Sequence, residues 1–92
     1  MSVKILKYEL ESEVHEVRMP AGAKILNAVN QQERIMVFAE ADDSYFDVVR
    51  TFYLLPTGED LPTSLITYVG TVLLNQGNTE VHVYSDNQGG FR

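Results

Sequence analysis

No cysteine occurs in the 92 residues, so disulfides, thiolate metal ligands and a cysteine nucleophile are excluded together. That usage fits a reducing compartment, and a soluble, cytoplasmic protein is expected. Basic residues are scarce too. Seven Lys and Arg stand against thirteen Asp and Glu, for a net charge of -6. This balance repels phosphate backbones and disfavours broad nucleic-acid binding. Long apolar runs are also missing. The longest uncharged one, Leu61 to Leu74, holds Pro62, Thr63, Ser64 and Thr67 and is too short and polar for a membrane helix. Met1 to Leu10 carries Lys4, Lys7 and Glu9 inside its apolar pattern, unlike a secretory leader.

Helical periodicity is absent as well, and short β-type segments take its place. Ile66 to Leu74 is β-branched and aromatic without a charge, the pattern of a central strand buried on both faces. Asn75 to Asn78 has hairpin-loop length, and Val81-His82-Val83-Tyr84 alternates like a half-exposed returning strand. Upstream, Leu6, Tyr8 and Leu10 form the buried set of a first strand. Glu11-Ser12 links it to Glu13 to Met19, most simply as a two-stranded meander with a bulge near His15. Lys24 to Asn30 and Arg34 to Glu40 form another pair about a polar loop. The second of these is apolar on both faces, so it lies between two layers or meets another chain. Ala41 to Asp47 is an acidic surface loop, ranked ahead of a helical turn capped by Asp42 to Ser44. Val48 to Leu55 is a strand, and Pro56 to Thr63 a long ordered loop. The expectation is all-β: a small antiparallel β-sandwich or barrel of about seven strands, with one domain over 1–85 and a flexible tail over 86–92. A chain this short buries only roughly 60–65% of its unfolded surface, so its core must be efficient or be completed by a partner subunit.

Few side chains suggest chemistry. His15 and His82 sit on different segments without metal-ligand spacing. His82 beside Tyr84 reads first as a half-exposed structural pair and second as a proton shuttle. Glu40, Asp42, Asp43 and Asp47 lack calcium-loop spacing. No serine lies in a nucleophile elbow, and Thr57-Gly58-Glu59-Asp60 lacks the phosphate-loop pattern. Arg50, between Val48 and Phe52 on an apolar face, needs a carboxylate of its own chain or, less readily, a ligand phosphate. Tyr45, Tyr53, Tyr68 and Tyr84 offer stacking faces. A ligand site would therefore draw on Arg50, Tyr45, Tyr53, Thr57, Gly58, His82 and Tyr84. No metal or cofactor is called for, and a non-enzymatic protein is expected.

Lys-Ile-Leu-Lys-Tyr-Glu-Leu at 4–10, Val-Arg-Met-Pro-Ala-Gly-Ala-Lys-Ile-Leu at 17–26, Thr-Gly-Glu-Asp-Leu-Pro at 57–62, Tyr-Val-Gly-Thr-Val at 68–72 and Val-His-Val-Tyr at 81–84 resemble, in this order, a family of small uncharacterised proteins of bacteriophages and prophages. Gly58-Glu59 departs from the family's Gly-His, and Ser85 with its tail from the family's acidic ending. The resemblance implies a phage protein in the host cytoplasm but no catalytic residue. Two functions follow as expectations. One is a homo-oligomer that sequesters an anionic host nucleotide or nucleotide-derived immune signal. The other is an accessory that binds a host or virion protein, its acidic surface suiting a basic partner.

Overall fold

Seven segments rich in Val, Ile, Thr and Tyr are strands in the computed structural model, which describes residues 2–86. They are β1 (Val3–Leu10), β2 (Val14–Pro20), β3 (Lys24–Gln31), β4 (Arg34–Asp42), β5 (Asp47–Pro56), β6 (Ile66–Leu74) and β7 (Thr79–Asp86). All pairings are antiparallel, in a three-stranded sheet β1-β4-β3 and a four-stranded sheet β2-β5-β7-β6. The architecture is an all-β sandwich, not a closed barrel. Phe52, Met19, Val37 and Val83 are fully buried between the sheets, with Val72, Leu10 and Ile35 around them.

Two expected hairpins are present, β3–β4 and β6–β7. The expected β1–β2 meander is not: β1 pairs with β4 and β2 with β5, so Glu11 to Glu13 is a corner between sheets. Leu10, Val17 and Met19 point into one core from opposite layers, which a flat meander would not allow. β6 is also an edge strand, not a central one. Only Val72 on it is buried, while Tyr68 and Leu73 face outward. β4, by contrast, is central in its sheet, but it does not lie between two layers: Ile35, Val37, Ala39 and Ala41 face the core, and Met36 and Phe38 lie on the outer face.

The bulges fall elsewhere than His15, where pairing with β5 is regular. One lies between Ile25 and Asn27 on β3, the other between Tyr68 and Gly70 on β6. These are the two strands that bring the sheets together along one side. A bulge raises local twist, and here it curls each edge toward the other. Gly70 packs its backbone against Ala28, where a Cβ would stand in ordinary contact with the Ala28 nitrogen at 3.6 Å. Asn30 Nδ2 donates to the Leu73 carbonyl at 2.8 Å, and the Asn75 amide donates to Glu33 Oε1 at 2.8 Å. The same seam carries the left-handed turn residues Gln32, Glu33, Asn75 and Gln76, a conformation costly for side chains other than Gly and Asn. Asn30 offsets part of that cost, since its Oδ1 accepts from the Glu33 amide at 2.9 Å. β7 runs on through Asp86, so the domain includes that residue; residues 87–92 of the expected tail lie outside the described residues.

Candidate functional site

Antiparallel register sets which side chains share the outer face of the four-stranded sheet. Val14 lies opposite Tyr53, Tyr53 opposite Tyr84, and Tyr84 opposite Tyr68. One row thus crosses all four strands, about 14 Å at the usual strand spacing. Tyr68 and Tyr84 meet edge to face with ring centroids 5.5 Å apart. Val14 is 60% exposed and Tyr68 54%. The next row holds Leu55, His82 and Thr71.

His82 is the hub of a hydrogen-bond chain on this face. Thr57 Oγ1 donates to Glu80 Oε1 at 2.7 Å and also lies 2.7 Å from His82 Nε2. With its one proton directed to Glu80, Thr57 must accept from His82, which puts the ring proton on Nε2. Nδ1 is then the acceptor for Thr71 Oγ1 at 2.9 Å, and Tyr68 completes the chain by donating to Thr71. Both nitrogens are used to fasten the β5–β6 loop and β6 to β7. Beside them a recess of about 200 Å³ is lined by Leu55, Thr57, Gly58, Glu59, Leu61 and Tyr84, among others. Gly58, at φ 98°, makes the turn that closes it, with the Glu59 amide donating to the Pro56 carbonyl at 3.3 Å.

Thr57, Gly58, His82 and Tyr84 therefore come together as the expected ligand residues, and Tyr53 adjoins them. Arg50 and Tyr45 do not. Arg50 faces inward and is buried; its Nε donates to Asp86 Oδ1 at 3.2 Å and its Nη1 to the Ala23 carbonyl at 3.2 Å. Asp86 Oδ2 also accepts the Thr51 amide at 3.0 Å. The carboxylate of its own chain thus meets the need that a phosphate would otherwise fill. Tyr45 sits in the β4–β5 turn, where Asp42 Oδ1 accepts from the Ser44 hydroxyl at 2.6 Å and amide at 3.0 Å. Those two bonds hold the Asp42 carboxyl below the usual aspartate range. Asp43, beside them, pairs with Lys4 at 2.8 Å. No helical turn forms here. Among the described residues, no three His, Asp or Glu side chains gather as a metal site.

Sequence reasoning missed Val14, Thr71, Glu80 and the place of Tyr68 in the row. Counted back from the β6–β7 loop without a bulge, Val69 would oppose Tyr84; the bulge substitutes Tyr68.

Fold and face define a class: a small antiparallel β-sandwich with an open aromatic surface on one sheet. Residues 1–90 match the model of the family described as domain of unknown function DUF7352, and the chain belongs to that family. No curated protein and no solved structure gives a significant match.

Proposed function

We propose that this is a non-enzymatic binding protein that engages a protein partner through the outer face of its four-stranded sheet. The row Val14, Tyr53, Tyr84 and Tyr68 supports this reading, because tyrosines massed on an open surface are typical interface anchors. The engagement of both His82 nitrogens within the chain favours a scaffolding role for that residue over proton transfer. The resemblance to phage proteins makes a host or virion protein in the host cytoplasm the partner class. The test is affinity capture with wild type and with a folded Tyr53→Ala/Tyr84→Ala variant. A partner retained by the first and lost by the second supports the proposal; equal retention overturns it.

A second reading, sequestration of a nucleotide-derived signal, is favoured by the convergence of Thr57, Gly58, His82 and Tyr84 on one recess. Glu59 on its wall and Glu80 behind Thr57 oppose a phosphate there, and Arg50 is committed elsewhere. Thermal-shift screening against cyclic dinucleotides and ADP-ribose decides it: no shift at high excess ends this reading. Homo-oligomerisation is proposed through the free edge of β1, where Val3 is 62% and Ile5 58% exposed. Sedimentation of wild type and Ile5→Lys tests it, and a monomeric wild type overturns it.

A further inference from the structure

The charges nearest the tyrosine row, Glu16 and Glu59, are acidic, and they narrow the partner. Glu16 lies on β2 two residues from Val14, opposite Thr51 and so diagonal to Tyr53. On the other side, Glu59 lines the recess that Tyr84 also lines; Glu80 is two rows off and accepts from Thr57, as far from the tyrosines as Arg18. Asp86 is neutralised by Arg50. Among the described residues the basic side chain of this face is Arg18, which pairs in register with Val49, two rows away from the tyrosines. The result is an aromatic strip between two acidic margins.

Cations suit both parts. A guanidinium or ammonium is attracted to tyrosine faces and to carboxylates alike, whereas an acidic segment would lose water at the margins and gain only repulsion. The strip, about 14 Å long, matches roughly four to five residues of extended chain. Neighbouring side chains of such a chain leave it on opposite sides, toward Glu16 on one and toward Glu59 on the other.

We infer that the tyrosine row receives an extended segment of a partner protein that carries lysine or arginine at adjacent positions, one side chain toward each margin. This rests on the reading of the face as a protein-binding surface and specifies what it binds.

The test is a titration of isotope-labelled protein with a short peptide in which pairs of adjacent arginines are separated by valine, and with its glutamate–valine counterpart, read by amide chemical shifts. The arginine peptide is expected to move the signals of Tyr53, Tyr68 and Tyr84, more strongly at low salt. Glu16→Gln and Glu59→Gln should each weaken it roughly fivefold. The double variant Glu16→Arg/Glu59→Arg should transfer preference to the glutamate peptide. Equal response to both peptides, or shifts confined to the other sheet, overturns the inference. The captured partner separates the two levels. If it is lost with Tyr53→Ala/Tyr84→Ala but kept by the double arginine variant, the face binds and the charge assignment falls. If the tyrosine variant keeps it, the functional reading itself falls.

Discussion

The centres of the two outer faces of the sandwich treat their apolar residues differently, while Val3 and Ile5 stand open at the β1 edge. On the three-stranded sheet, Met36 lies in the middle of β4, yet only 8% of its surface is exposed. Lys7 Nζ on β1 donates to Gln31 Oε1 on β3 at 2.9 Å, a contact that spans the central strand. Arg34 and Glu9 pair at 3.7 Å across the β1–β4 register in which Glu9 opposes Met36. Exposed pairs of this kind contribute little energy, about 0–1 kcal/mol. Their methylene stems instead cover apolar surface while the charged heads stay in water. Across the tyrosine row no such bridge is formed among the described residues; its cross-strand contact is aromatic. A sandwich that covers the centre of one sheet with lysine and arginine stems, and lays one exposed and two half-buried tyrosines across the other, has a surface to offer.

The comparison fails if the common platform fails, and that is the largest expected effect. Asp86→Ala leaves the buried Arg50 without its carboxylate and removes the acceptor for the Thr51 amide, so unfolding stability should fall by about 3 kcal/mol in urea titration. Next is Tyr84→Ala, which removes a central anchor. Partner affinity should drop about 30-fold in calorimetry, while Lys7→Ala on the opposite face leaves it unchanged. Stripping the covered face with Lys7→Ala/Arg34→Ala should cost only about 0.5 kcal/mol. It should nevertheless raise binding of a hydrophobic dye as Met36 and Phe38 are uncovered, whereas a dye signal unchanged from wild type would remove the covering role.

The smallest effect lies at the turn between the sheets. Asp42 has a lower carboxyl pKa folded than unfolded, so the stability it confers is present above the unfolded value. That contribution is lost as pH falls through the folded one, below about pH 4. Ser44→Ala removes the donor hydroxyl but leaves the Ser44 amide bond, so it should weaken this acid dependence, readable as a flatter melting profile across that range.

Much of the architecture was legible because strand alternation and hairpin length are local. The Asn75 to Asn78 loop, the inward set Leu6, Tyr8 and Leu10, and the outward His82 and Tyr84 all followed from period two. What was not legible is non-local. The row needs Tyr53 beside Tyr84, a pairing of β5 with β7 that passes over β6 in the chain, and a bulge that replaces Val69 by Tyr68. The same holds for β1 and β2, whose adjacency in sequence suggested a pairing that the corner at Glu11 to Glu13 prevents. For Arg50, the local signal named the kind of partner, a carboxylate, but not Asp86, which comes from the far end of the chain.

That corner has a consequence for synthesis on the ribosome. β1 and β2 emerge first, yet their partners β4 and β5 follow a hairpin turn later: Val3 waits for Asp42, and Val14 for Tyr53. Until then the nascent segment has backbone groups without a ladder and apolar side chains without a core, the state in which chains stick to one another. Lys4, Lys7, Glu9 and Glu16, spaced through those two strands, are placed as gatekeepers for that interval. Their first service is to keep the newborn chain apart from its neighbours before there is any sandwich to decorate.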